Sequence, residues 1–424
     1  MLTVFAAVRR RWQWGLIILS LITVLSFPAF SLPAVNRSVM NRPEIRGVWI
    51  TNIDSSVLFQ RQRLWQSIDG LQKLNFNTIY PVVWNWGYTL YPSKVAQKNV
   101  GQRVMPNRSI ELISGKPLPP GEGFTGRDML KEAVTRGHRD KMAVIPWFEF
   151  GLMATAASDP SGSDLAKRHP QWLTHRRDGT TTYREGKHER VWLNPLHPGV
   201  QRFIKDLIVE VVHNYDVDGV QIDDHFGYPF EFGYDDLTVS VYKAEHQGKA
   251  PPIDPKDVEW TNWRASKVTA LLKDLFKEIK KANPRAIVSV SPNPQEFSKS
   301  TFLADWVAWE RAGLVEEILI QVYRSSLSKF QGELQQPEVQ RAKTHIPVGI
   351  GVLAGLKPRP VKMAQIQEQV QAVRQQGLAG SSFFFYETLW NLKPPTESIK
   401  QRQASFKQLF NRSVPRKTIK NLQQ

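Results

Sequence analysis

From Ile45 onward the apolar positions of the chain switch between two periods in a regular order. Short runs rich in Val, Ile and aromatic residues occupy 45–51, 78–84, 142–149, 217–223, 287–291, 317–323, 347–353 and 381–387, and each has the length and composition of a strand. Between them apolar residues recur at helical spacing: Leu64, Ile68, Leu71 and Leu74, then Phe203, Ile204, Leu207, Ile208 and Val211, then Val268, Leu271, Leu272, Leu275 and Ile279, then Ile366, Val370 and Val373. Eight strand-then-helix steps predict an α/β fold, a (β/α)8 TIM-type barrel. The span 44–410 exceeds the roughly 250 residues of a plain barrel. The excess falls in the aperiodic stretches 87–126, 150–198 and 226–260, after the second, third and fourth strands. Loops that follow strands belong to the carboxyl face, so these stretches are expected to wall a groove there without forming a second domain.

The flanks read differently. Arg9, Arg10 and Arg11 precede an apolar stretch from Trp12 to Phe30, closed by the small residues Ala29 and Ser31. That is the layout of a secretory signal, and its length also suits an uncleaved inner-membrane anchor through residues 12–30. The expected organisation is a signal or anchor over 1–31, a linker over 32–43, the barrel over 44–410 and a loose basic tail over 411–424. Export to the periplasm or cell envelope follows. The absence of cysteine from all 424 residues excludes disulfides, zinc–thiolate sites and cysteine nucleophiles.

The net charge of +17 first suggests nucleic acid, but its distribution argues otherwise. Three N-terminal arginines and six cations in residues 401–424 supply nine of those charges and leave +8 for the long middle, which holds no dense basic stripe with interleaved aromatics. A solvated basic surface facing anionic lipid or an acidic polymer such as peptidoglycan accounts for the excess, and no nucleic-acid partner is expected.

Candidate chemistry lies at the strand ends. The fourth run closes on Gln221-Ile222-Asp223-Asp224 and continues into His225. Charge placed at the end of an apolar strand is where a barrel keeps its active site. Period-two alternation puts Gln221 and Asp223 on one face, with Asp223 aimed into the mouth and Asp224 opening the loop. Neighbouring strand ends carry Trp147 and Glu149, Asn293, Gln321 with Tyr323 and Arg324, and Tyr386 with Glu387. Paired carboxyl groups, one protonated and one ionised, are the minimal equipment for glycoside hydrolysis. Glu149 fits the general acid and Asp223 the nucleophile, base or stabiliser, with Asp224 beside it and Glu387 as a competing acid. A separation of about 5–5.5 Å would imply retention and about 6.5–9.5 Å inversion. Assistance by a substrate N-acetyl group is a third route. Trp84, Trp86 and Trp147 are candidate sugar-stacking faces. His225, Asn293, Gln321, Tyr323, Arg324 and Tyr386 are candidate hydrogen-bonding groups. Asp223, Asp224 and His225 could also bind a divalent ion, but no helical HExxH motif accompanies them, so no metal or other cofactor is expected. The alternative from another class is a barrel that binds cell-wall glycan without cutting it.

Six stretches in order, Ile45-Arg46-Gly47-Val48-Trp49-Ile50, Pro146 to Gly151, Val191 to Pro195, Asp218 to Pro229, Val290 to Pro294 and Phe383 to Glu387, resemble the glycosyl-hydrolase-like ten family. The resemblance runs from about 43 to 410. It implies a barrel enzyme that cleaves peptidoglycan glycan strands, particularly those stripped of stem peptides, in a periplasmic, membrane-tethered or septal setting. The lipid-bearing cysteine that often tethers members of that family has no counterpart here.

Overall fold

The computed structural model describes residues 42–159, 164–185 and 188–419. The expected signal or anchor over 1–31, nearly all of the linker and the last five residues lie outside them. Among the described residues no helix is long and apolar enough to cross a membrane.

Eight parallel strands form the predicted barrel: β1 (Ile45–Ile50), β2 (Thr78–Pro81), β3 (Ala143–Val144 and Trp147–Phe148), β4 (Gly219–Asp223), β5 (Ile287–Ser291), β6 (Glu317–Gln321), β7 (Val348–Leu353) and β8 (Gly380–Phe384). The first half of β3 pairs with β2 and the second with β4, while β8 pairs with both β7 and β1, so the sheet closes on itself. Pro146 divides β3 because it has no N–H to give β4. Its carbonyl still accepts from Gln221 N at 2.8 Å, and Trp147 O accepts from Val83 N at 2.9 Å, which carries the closure through the break. Helices such as Pro198–Asn214 and Val258–Ala282 bury their apolar faces outside the barrel.

The barrel interior is polar as well as aromatic. Trp49 Nε1 donates to Gln221 Oε1 at 2.6 Å, Gln221 Nε2 to Ser289 Oγ at 3.0 Å, and Ser289 Oγ to Glu317 Oε1 at 2.9 Å. Tyr80 donates to the same Glu317 oxygen at 3.1 Å, and the Arg416 guanidinium bonds its other oxygen. A carboxylate that is 1 % exposed tolerates burial only with such partners. Burial lowers the Arg416 pKa, but the Glu317 charge and Tyr80 hydroxyl outweigh it and hold the group above its usual range.

Arg416 overturns the expectation of a loose tail. Residues 412–416 cross the starts of β1 and β2, where Arg46 Nη1 donates to Arg412 O at 2.6 Å and Glu44 N to Pro415 O at 2.9 Å. The cations counted as a solvated run therefore include one that neutralises the barrel interior.

The inserted stretches stand where the aperiodic regions predicted them. After β2 come a hairpin (Trp84–Asn85 with Tyr88–Thr89) and two short helices. After β3 comes a three-stranded antiparallel sheet, and after β4 the helix Asp236–Glu245 with a small aromatic cluster of Tyr242, Trp260 and Trp263.

Candidate active site

The chain leaves β4 at Asp223 in extended conformation and tightens at once into a 3-10 turn over Asp224–Phe226. Consecutive strand residues face opposite sides, but this turn folds the Asp224 carboxyl back beside that of Asp223. Asp223 is 6 % exposed and points inward, as its alternation with Gln221 predicted. Its Oδ1 accepts from Ser291 Oγ at 2.6 Å and from Gln321 Nε2 at 2.8 Å. Asp224 Oδ2 accepts from Asn293 Nδ2, and its Oδ1 lies 3.1 Å from His225 Nδ1. Burial, opposed by His225 and reinforced by the neighbouring Asp223 charge, pushes the Asp224 carboxyl up to about 7. Asp224 thereby keeps its proton to near neutrality beside a second carboxyl.

His225 Nδ1 is also 3.1 Å from the Glu149 carbonyl oxygen. A carbonyl only accepts, so this assigns the ring proton to Nδ1. The close approach depends on Gly151, whose φ is +49° and where any Cβ would meet the His225 backbone at 2.6 Å.

Glu149 follows β3 directly. The ladder pairs Gln221 with Trp147 and Ile222 with Phe148, which sets Glu149 level with Asp223 on strands about 4.8 Å apart. Glu149 Oε2 accepts from Asn85 Nδ2 at 2.8 Å and stands 3.4 Å from Thr51 Oγ1. Asn85 is placed by the hairpin after β2, whose turn residues Trp86 and Gly87 both have positive φ, the conformation a two-residue hairpin requires. Facing these acids is Tyr323. Burial first, and then the charges of Asp223, Asp224 and Glu149, hold its hydroxyl well above the usual phenol range, so it remains a donor. Its ring stacks on Phe384 at 5.6 Å, and Phe384, Trp49 and Trp147 make an aromatic floor beneath the acids.

Of the residues singled out in the sequence, Glu149, Asp223, Asp224, His225, Asn293, Gln321 and Tyr323 thus come together. The others stand apart. Trp84 is fully buried, with Nε1 on Gly151 O at 3.2 Å and its ring against Phe203. Trp86 is covered by Arg190, whose guanidinium carbon lies 4.0 Å from its ring centre, and by His188 at 4.5 Å. Trp147 is 2 % exposed within the floor. None of the three presents a free face for sugar stacking. Arg324 is bound by Glu333 at 2.7 Å. Glu387 is buried on Ser55 Oγ at 3.1 Å and on Asn391, and the Tyr386 hydroxyl is directed to Ser67. Asn85, Thr51 and Ser291 were missed. The Gly87 turn signal could have drawn attention to Asn85, whereas the serine and threonine carry no such mark.

Asp223, Asp224 and His225 offer three ligand atoms within 4.8 Å of one another. His225 Nδ1, the ring nitrogen nearest the carboxylates, is engaged by the Glu149 carbonyl oxygen at 3.1 Å. A cleft of about 1080 Å³ opens at the other end of the barrel, lined by Asn75, Asp218, Glu317 and Arg416. Size alone would favour it, but strand starts serve stability in this fold, and the carboxyl pair lies at the opposite face.

Comparison with known proteins bears on the family and the fold. The family described as glycosyl hydrolase-like 10 matches residues 44–373. Glycosyl hydrolase DigH of Escherichia coli K12 is 26 % identical over 343 residues, covering 74 % of this chain and 70 % of that protein. Glycosyl hydrolase YngK of Bacillus subtilis is 25 % identical over 274 residues, 62 % of this chain and 47 % of its own length. Among solved structures, the PgaB (BpsB) glycoside hydrolase domain of Bordetella bronchiseptica superposes with a TM-score of 0.57 at 12 % identity, over 81 % of this chain and 94 % of that one. The catalytic domain of β-amylase from Paenibacillus polymyxa gives 0.55 at 11 %, over 86 % and 96 %. Those two likenesses speak for the barrel alone. The family match spans most of the chain and takes in β1 to β7 with the Asp223–Asp224 pair, and on that ground the chain belongs to the glycosyl hydrolase-like 10 family.

Proposed function

We propose that this protein hydrolyses the amino-sugar backbone of peptidoglycan glycan strands, those lacking stem peptides in particular, in the periplasm or cell envelope. Asp224 is the proton donor, Asp223 the partner carboxyl beside it, and Glu149 a third carboxylate that holds sugar hydroxyls. The observation that carries the reading is the pair of adjacent carboxyls, Asp223 held by Ser291 and Gln321 and Asp224 by Asn293, at the mouth of a barrel in this family. The acid role thereby moves from Glu149, where the strand order alone had put it, to Asp224. An acidic polymer as substrate is supported by the +8 that remains between the two basic termini, and the envelope setting by the signal-like layout of residues 1–31. A barrel that only binds glycan would need exposed aromatic faces, and the three tryptophans proposed for that task are buried.

Digestion of intact and amidase-stripped peptidoglycan, with fragments read by mass spectrometry, tests this. New reducing ends are expected from stripped strands with the wild type, none with Asp224→Asn, and a rate lowered by about 10–100-fold with Glu149→Gln, as for loss of a positioning contact. Strands that are bound but never cut by the wild type would instead establish the binding barrel.

The pH profile follows from the same assignment. The raised pKa keeps Asp224 protonated below about 7 and ionised above it, so kcat/KM is expected to fall as pH rises through that value. Asn293 bonds the ionised form, so Asn293→Leu should move the alkaline limb to higher pH. Initial rates between about pH 5 and 9 measure both.

A further inference from the structure

All three acids of the cluster lie on one side of the mouth. Asp223 and Asp224 end β4, and Glu149 ends the adjacent β3 at the same level. Across the mouth, Asn293 and Tyr323 lie two residues past β5 and β6, β7 ends on Leu353, and Glu387 after β8 is tied to Ser55 and Asn391. Displacement by an enzyme carboxylate needs one carboxyl to protonate the leaving oxygen while another, or the water it activates, approaches the opposite face of the sugar. Glu387 is the carboxylate that these strand ends place there, and both of its oxygens already accept, one from Ser55 and the other from Asn391.

Asp223 is also poorly suited to attack carbon. Its Oδ1 is committed to Ser291 and Gln321, and its Oδ2 lies 3.8 Å from the protonated His225 Nδ1. A rigidly held acceptor of this kind suits a substrate N–H.

We propose that the nucleophile is the substrate's own 2-acetamido oxygen, with Asp223 accepting the acetamide N–H and Asp224 protonating the leaving oxygen. This rests on the glycosidase reading above and limits its substrates to sugars N-acetylated at the cleaved residue. In the first step the acetamide oxygen bonds to C1 while the C1–O bond to the leaving sugar breaks. The electron pair of that bond goes to the leaving oxygen, which takes the Asp224 proton, and the acetamide N–H proton passes to Asp223. In the second step water adds to C1 and gives a proton to Asp224, the bond from C1 to the acetamide oxygen opens, and nitrogen recovers its proton from Asp223. Two displacements at C1 leave its configuration retained. Holding the acetamide beside C1 makes the attack intramolecular, which is the source of the rate advantage. Asn293 and His225 both donate toward Asp224 and would stabilise its carboxylate as the proton departs.

The test uses the full chain and stripped glycan strands, either N-acetylated or chemically de-N-acetylated, with the thiazoline analogue of N-acetylglucosamine as inhibitor. Cleavage of acetylated strands with retained configuration by NMR, loss of at least about 100-fold on de-N-acetylated strands, and competitive inhibition by the thiazoline are expected. Cleavage of both strands at similar rates without thiazoline inhibition, or a covalent sugar adduct on Asp223 or Glu149 trapped with a 2-fluoro glycoside, would overturn the assignment and leave the glycosidase reading intact. Absence of cleavage of either strand would defeat both.

Discussion

Replacing Arg416 by methionine is expected to destabilise the barrel by roughly 3–5 kcal/mol, the usual consequence of removing one partner from a buried ion pair. Glu317 would keep its hydrogen bonds from Ser289 and Tyr80 but lose its only charged partner among the described contacts, at a site that is 1 % exposed. Urea unfolding followed by tryptophan fluorescence measures the change. The double variant Arg416→Met/Glu317→Gln separates charge from packing, because an uncharged interior needs no guanidinium. It is expected to recover more than half of the loss, and a double variant as unstable as the single one would mean that the tail acts by shape.

Asp223→Asn is expected to lower kcat by about 10³-fold or more with little change in strand binding. The amide is nearly isosteric, so Ser291 can still donate to its oxygen, but the negative charge that holds the proton on Asp224 is gone. The Asp224 pKa then falls, and its alkaline limb moves to lower pH. Rates across pH, with binding followed by sedimentation of strands, check both effects. A variant with wild-type kcat would remove Asp223 from the mechanism.

Much of this was legible because it rests on period. The eight strands announced themselves through short apolar runs, and alternation along Val220 to Asp223 placed Asp223 in the mouth. Period cannot report the turn at Asp224–Phe226, which sets two consecutive carboxyls side by side and raises one pKa. Burial of tryptophan was equally hidden. A Trp that follows a strand looks the same in sequence whether it faces a groove or, as with Trp84 and Trp86, is covered by inserted segments such as Phe203 and Arg190. The contact of Glu387 with Ser55 was hidden for a related reason, since their separation of 332 positions leaves no local pattern. The role of Arg416 depends on a partner 99 positions away, and no local pattern encodes that distance.

Closure of the ring by β1 against β8 has a cost during synthesis. Ile45, at the start of β1, finds its partner Gly380 in β8 after a separation of 335 positions. At ribosomal rates of about 5–20 residues per second, roughly 20–70 s pass between the two. Throughout that interval the nascent sheet has an unpaired edge carrying Val48, Trp49 and Ile50, each almost wholly buried in the finished barrel, and such edges invite pairing with other chains. Survival of the growing polypeptide therefore depends on something that shields this edge, and depletion of holding chaperones should reduce its yield before any mature property of the enzyme is affected.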